Sequence, residues 1–364
     1  MYFLGALTRF LNMHLEIDTS DPVLVTGATG FLAGWIVKQL LDAGATVHAT
    51  VRDPADYSKC GHLKNLSNTS KGKIELFKAD LLDDGSYAEA MKNCRVVIHT
   101  ASPFITNYND AQKDLIEPAV RGTKNVLNTA SSISSVERVV LTSSCAAICG
   151  DTIDCQDAPG GILTEEVWNT TSSASHQAYA FSKVSAEKAA WEIAEAQDKW
   201  RLVVINPGFI IGPSLSGKST SATHDLIGGM GDGRMKSGVP AIQIGTVDAR
   251  DAADAHIRGA FLDHANGRHM IFAETVSFLD LAIMLQDKFG MSYSLPKKEL
   301  PKWLVWLIGP IADKTFSRKM ISRNFGHQWR GDNSKSLIEL GMHYTSLQTS
   351  MEEMFQQMID QKKF

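Results

Sequence analysis

Cysteine is scarce in this chain. Five of the 364 residues are cysteine, an odd number with no Cys-x-x-Cys spacing among Cys60, Cys94, Cys145, Cys149 and Cys155, and that excludes a disulfide framework and a cysteine-built zinc site. A reducing, cytoplasmic setting is the expectation. Charge of one sign is missing too. Thirty-six lysines and arginines face 40 acids for a net charge of −4, and no basic run stands out, which argues against nucleic acid or an anionic membrane as the main partner. No apolar run approaches the ~20 residues that span a bilayer. The strongest, residues 303–311, is broken by Gly309 and Pro310 and reads as a packed or surface-associated helix. Residues 1–11 are apolar, but Arg9 sits near their end, no A-x-A-like site follows and acids come soon after. They read as a loosely held extension, with Met13 an alternative start, rather than a secretory signal. His224, His256, His264, His269 and His327 lack metal-ligand spacing, so no metal is expected, and no internal repeat is visible.

What is present is an ordinary apolar fraction of 44% with 21% charged residues, enough for a large core. The stretch VLVTGATGFLA at 23–33 organises the chain. Val23, Leu24 and Val25 read as a buried strand that runs into a glycine turn and then a helix at 31–43. Gly27 permits the turn, Gly30 lets the backbone approach a pyrophosphate, and Ala33 is small enough for the helix to lie on the strand. The helix N-terminus then offers its free N–H groups to phosphate. A second strand at 46–51, ending in Arg52-Asp53-Pro54, completes a βαβ opening.

Further strands fall at 74–78, 96–100, 139–144 and 202–205, separated by a polar loop after Arg52, a helix over about 110–130 offset by Pro118, and a helix over 176–197. That alternation predicts a doubly wound parallel sheet. Beyond Pro213 the pattern breaks, with strands at 242–247 and 270–272, a helix at 251–264, and helical tail segments at 278–289, 301–308, 334–340 and 346–362. The expected organisation is a dinucleotide-binding domain over 1–206 with a return at 241–273, and a smaller C-terminal substrate-binding lobe from 207–240 and 274–364.

The sequence Tyr179-Ala-Phe-Ser-Lys183 puts a phenol and an ammonium four residues apart on one helix face. An ammonium beside a phenol favours the phenolate, so such a tyrosine can give a proton to a carbonyl oxygen as hydride reaches the carbon. Ser144, at a strand exit, can hydrogen-bond that oxygen. Tyr and Lys at this spacing occur on many amphipathic helices. Here they share a chain with the glycine turn and the Ser-Ser exit, in the order a doubly wound sheet requires.

The segments VTGATGFLAGWIVKQLL, ATVRDP, LFKADLLDDGSY, VVIHTASPF, VVLTSSCAA, YAFSKVSAEKAAWE, NPGFIIGP and VDARDAADAHI resemble an extended short-chain dehydrogenase/reductase, on the branch of dihydroflavonol reductases, within the NAD-dependent epimerase/dehydratase superfamily. The resemblance implies a Rossmann fold, NADP (NADPH) as cofactor and a small-molecule carbonyl substrate, in a monomer or homodimer. It makes Ser144, rather than Ser143, the third catalytic group with Tyr179 and Lys183, Lys183 also holding the nicotinamide ribose. It places Gly27, Gly30, Phe31 and Leu32 at the pyrophosphate, Asp80 and Leu81 at the adenine, Thr100 and Ala101 beside the ribose, and Pro207 near the carboxamide. Arg52 and Lys59 match positions that meet the 2′-phosphate of NADPH. An asparagine that contacts flavonoids in the plant enzymes is replaced here, near Cys149, by an apolar or thiol position, and residues 178–181 do not match the Trp-Tyr-Cys-Tyr-type signature of the cinnamoyl-CoA branch. With Cys145 to Cys149 read as small linings of the cleft, the expected reaction is NADPH-dependent reduction of a hydrophobic aldehyde or ketone. A nucleotide-sugar epimerase or dehydratase and a non-catalytic dinucleotide sensor are the rival readings.

Overall fold

Strand β1 (Val23–Thr26) is buried throughout and lies third in a seven-stranded parallel sheet. The computed structural model describes residues 15–103, 108–217, 221–312 and 316–364. The expected N-terminal extension, residues 1–11, lies outside them. The other strands of the sheet are β2 (Thr46–Val51), β3 (Lys73–Lys78), β4 (Val96–His99), β5 (Arg138–Thr142), β6 (Arg201–Pro207) and, numbered after two strands of a second sheet, β9 (Gly267–Ile271). Their order is β3-β2-β1-β4-β5-β6-β9. The chain reverses its direction of winding between β1 and β4, and ligands of open α/β sheets bind at such a switch point.

Alternate residues of each strand feed two different cores, as the two-residue period of a pleated strand demands. Val23, Val25, Ile98, Val140, Val203 and Ile205 face one cluster. Leu24, Val97, Val139, Leu141, Leu202 and Val204 face the other. Helix α1 (Phe31–Asp42) lines the first face, together with α7 (Ala249–Phe261). The second is lined by α4 (Glu117–Ser132) and α5 (Ala178–Glu195).

Several boundaries differ from expectation. The polar loop after Arg52 contains helix α2 (Tyr57–Thr69), whose inward face is only Cys60, Gly61 and Leu63, too short an apolar stripe to show a period. The expected helix from about 110 opens with a π-helical turn, Gln112–Ile116, and α4 proper starts at Glu117. Pro118 sits in its first turn, where the missing N–H has no intrahelical partner to lose. A short helix, α3 (Ala88–Met91), precedes β4.

A smaller sheet has the order β10-β8-β7, with β7 (Phe209–Ile211) parallel to β8 (Gln243–Asp248) and β10 (Glu274–Ser277) antiparallel to it. Residues 241–273 are thus shared: β8 joins the small sheet, while α7 and β9 belong to the large one. Helices α6 (Ala222–Gly231), α8 (Phe278–Ile283), α9 (Gln286–Phe289) and α13 (Leu347–Asp360) close a third core over the small sheet. The remaining helices are α10 (Lys302–Ala312), α11 (Arg318–Asn324) and α12 (Ser334–Glu339).

The catalytic-helix candidate α5 is anchored from below. The buried Glu187 carboxylate accepts bonds from Ser143, from Asn206 Nδ2 at 2.8 Å and from Arg268 Nε at 2.5 Å. Arg268 also lies over the Trp168 ring, 3.9 Å from its centroid. One acid thereby ties α5 to β5, β6 and β9.

Among the described residues four buried histidines, His99, His224, His256 and His269, are held toward the neutral form. Burial lowers His99 to about 3, with help from Lys183, and burial lowers His256 to about 4 against a hydrogen bond to Ala252. The unfolded chain protonates them near 6.5, the native state only far below. Stability is therefore full above about pH 6.5 and should fall as the pH drops from there toward 4, each histidine contributing a slope of up to about 1.4 kcal/mol per pH unit. Urea unfolding across that range measures it, and His256→Gln should flatten the slope.

Candidate active site

The site begins at the exit of β1. Gly27 has φ of +65°, and a Cβ there would come within 2.9 Å of the Ala101 Cα. Gly30, the residue before α1, has extended backbone and no side chain caps the helix; a Cβ on it would meet the Gly27 carbonyl at 3.2 Å. The turn is thus a cradle of bare backbone, with the open amides of a twelve-residue helix behind it. Phe31 is half-buried and packs edge-on against His224, ring centroids 4.8 Å apart. Leu32 points into the core, so only its backbone can face a phosphate.

Thr26 joins this turn to the end of β4. Its hydroxyl accepts the N–H of Thr100 and of Ala101, both at 3.1 Å, and lies 2.8 Å from His99 Nδ1. The next residue, Ser102, has its Oγ 3.2 Å from the Lys183 ammonium. Three consecutive residues after β4 therefore touch both the glycine turn and the lysine of α5. Thr100 and Ala101 are half-buried along that crevice.

On α5, Tyr179 is the second residue and is 40% exposed, so its ring is open to a ligand. The Lys183 ammonium lies 5.7 Å from that ring's centroid. Ser144 begins a 3-10 turn, Cys145–Ala147, and its hydroxyl accepts from Ala146 N at 3.1 Å, which leaves its proton to donate. The turn packs against α5. Ser144, Tyr179 and Lys183 all lie at the carboxyl edge of the large sheet, where Pro207 ends β6.

At the far end of the crevice Arg52 is exposed and forms no ion pair among the described residues. Its neighbour Asp53 turns into its own loop, accepting Ala55 N at 2.9 Å. Lys59, on α2, is exposed and lies 3.3 Å from Asp56. Asp80 accepts Leu82 N at 2.9 Å, and Leu81 packs half-buried beside Gly122.

One expectation is corrected. Cys145, Ile148 and Cys149 do not line an open cleft: they are buried in a cluster with Cys155, Phe272 and Trp329, and Ala147 is buried as well. The 3-10 turn after Ser144 folds the strand exit back under the sheet edge, with Ile148 N bonded to the Cys145 carbonyl. Cys145 gives its thiol to the Asn206 carbonyl, and Cys149 gives its own to the Asp151 carbonyl.

Other residues of the site had no sequence signal. Buried Asp151 accepts from His176 at 2.7 Å, Gln177 at 3.0 Å, Arg323 at 2.5 Å and Asn324 at 2.7 Å. Burial alone would raise this carboxyl, but the four hydrogen bonds outweigh it and hold it below the usual carboxylate range. Gln177, in left-handed conformation just before α5, is two residues from Tyr179. Asp151 thereby fixes the start of the tyrosine helix to α11, from 172 residues further along the chain.

A switch-point crevice with a bare glycine cradle, flanked by a tyrosine and a tethered lysine, defines a dinucleotide-dependent oxidoreductase. Residues 23–269 match the model of the NAD dependent epimerase/dehydratase family, and the chain belongs to it. Within that family it lies on the extended short-chain, dihydroflavonol-reductase-like branch. A cinnamoyl-CoA reductase (CAD2) of Medicago truncatula is 37% identical over 287 residues, covering 77% of this chain and 84% of the relative. Among solved structures, Gre2 of Candida albicans in complex with NADPH superposes with a TM-score of 0.74 at 31% identity, over 93% of this chain and 99% of that one. The yeast methylglyoxal/isovaleraldehyde reductase Gre2 complexed with NADPH gives 0.75 at 26% identity, over 94% and 100%.

The Thr26 hydroxyl is the testable element here. Thr26→Val keeps the shape but leaves the Thr100 and Ala101 amides without their acceptor, at a cost of about 1–3 kcal/mol per buried group. Thermal unfolding should show that loss, and calorimetric titration should show weaker dinucleotide binding.

Proposed function

We propose that this protein reduces the carbonyl group of a hydrophobic aldehyde or ketone with NADPH, Tyr179 supplying the proton. The observation that carries the reading is the Lys183 ammonium, held by Ser102 beside the exposed Tyr179 ring. The cradle at Gly27 and Gly30, which a Cβ would fill, fits a pyrophosphate. Arg52, with Asp53 turned away, fits a ribose 2′-phosphate, with Lys59 nearby on α2.

Bound NADPH supplies the hydride. The chain's own groups handle the oxygen. Ser144 and Tyr179 hydrogen-bond it, and the phenol proton passes to it as the carbonyl carbon is reduced, leaving a phenolate that the Lys183 charge stabilises. Each turnover thus adds one hydride to carbon and one proton to oxygen, and Tyr179 recovers its proton from solvent. Lys183 also meets the nicotinamide ribose in this reading, with Pro207 near the carboxamide.

We place the substrate between the edge of the large sheet and the lobe formed by 207–240 and 274–364. Half-buried Phe209, two residues past Pro207 and paired with Phe278 at 5.9 Å, offers it an apolar wall. Burial against such a wall stabilises by roughly 25 cal/mol per Å² of apolar area and gives little to a polyhydroxylated sugar. The five reduced, buried cysteines support a cytoplasmic setting.

A fall in NADPH absorbance on adding aryl or medium-chain aldehydes and ketones tests the reading, and oxidation or epimerisation of a nucleotide sugar instead would refute it. Tyr179→Phe should lower kcat by at least ~10²-fold with little change in NADPH affinity. Arg52→Ala should raise KM for NADPH far more than for NADH, because only the phosphate loses its partner. Steady-state kinetics with both cofactors reads both effects.

A further inference from the structure

Helix α10 is built inside out. Its inward side is narrow: Val305 and Gly309 are buried, Val305 in a small cluster with Ile321 and Phe325. Its outward side carries the large apolar groups. Trp303 is 68% exposed and Ile311 88%, with Trp306, Leu307 and Ile308 also open to solvent. At 100° per residue, Trp303, Trp306, Leu307 and Ile311 fall on one stripe of the helix. A soluble surface normally carries charge in that place, and a continuous apolar stripe marks an interaction surface.

The charge around the stripe indicates what covers it. Residues 297–330 hold eight lysines and arginines against two acids, a net charge of +6 in a chain whose total is −4. The near-neutral total hides a molecule with a strongly basic segment. Lys297, Lys298, Arg318 and Lys319 are exposed and have no acid partner among the described residues. The Arg318 guanidinium lies 4.6 Å from the centroid of the Trp306 ring. Basic groups on both sides of a Trp- and Leu-bearing stripe match the two-part chemistry of a helix lying in a lipid interface, where the apolar face sinks among acyl chains and the cations meet anionic headgroups. At eleven residues α10 is far shorter than the ~20 that span a bilayer, so it is too short to cross one.

We infer that α10 and its flanking cations dock this protein on an anionic lipid bilayer. This inference does not depend on the proposed reaction. Its test reads lipid binding alone: co-sedimentation of the full chain with vesicles of phosphatidylcholine, pure or mixed with phosphatidylserine. Binding should be strong only to the mixed vesicles and should weaken with added salt. The variant Trp303→Ser/Ile311→Ser should lose at least about tenfold in partitioning, and Lys297→Gln/Lys298→Gln should lower binding to the mixed vesicles. Both pairs lie on the surface, and unchanged circular dichroism and unfolding midpoint confirm that the fold is kept. The inference fails if the wild-type chain stays in the supernatant, or if the Trp303/Ile311 variant binds as well as wild type. It also fails if light scattering shows a dimer that this variant abolishes, because a second copy of the chain then covers the stripe.

Discussion

The chain is organised by how closely the end of β1 approaches the end of β4. Gly27 can take its place only because it lacks a Cβ, since any side chain there would strike Ala101. The Thr26 hydroxyl then holds Thr100 and Ala101 by their amides. This contact brings the glycine turn into register with Ser102, and Ser102 in turn holds Lys183. The glycine turn and the Tyr179–Lys183 pair are therefore coupled through three adjacent backbone positions. A shift of the β4 exit would move the glycine turn and the Tyr179–Lys183 pair together.

Below this line, helix α5 is fixed at two points by buried acids. Glu187 secures its middle to β5, β6 and β9, and Asp151 secures its start to α11. Both carboxylates are fully buried, where an unpaired charge would cost several kcal/mol, so each demands its complete set of donors. That demand leaves the helix start little freedom, and it makes the orientation of Tyr179 depend on Arg323 and Asn324 in the C-terminal third of the chain.

The large sheet was legible in the sequence because each strand is a short apolar run flanked by turn residues, and the glycine turn and Tyr-Lys pair have spacings set by local geometry alone. The features that escaped depend on tertiary contact. Helix α2 buries only three residues and shows no period. The apolar run after Ser144 reads equally as a cleft wall or as core, and only the 3-10 turn decides for core. Asp151 and Arg323 meet across 172 positions, which no local pattern encodes. Net charge misleads in a similar way, since the average over the chain conceals the basic surroundings of α10.

The last turns of the described chain complete the core over the small sheet. Met351, Met354 and Phe355 of α13 are fully buried there. The Phe364 ring packs against Tyr293 and Phe355 at 5.4 and 5.0 Å and leaves no room for a Cβ on Gly231. The large sheet, by contrast, has all its strands once Ile271 is made. At a synthesis rate of about 5–20 residues per second, the nascent protein spends on the order of 10 s with every strand of the large sheet made and an open apolar lobe. During that interval Ile211, Ile227 and Leu281 are uncovered, and this half-made molecule is the form most exposed to chaperones and to aggregation.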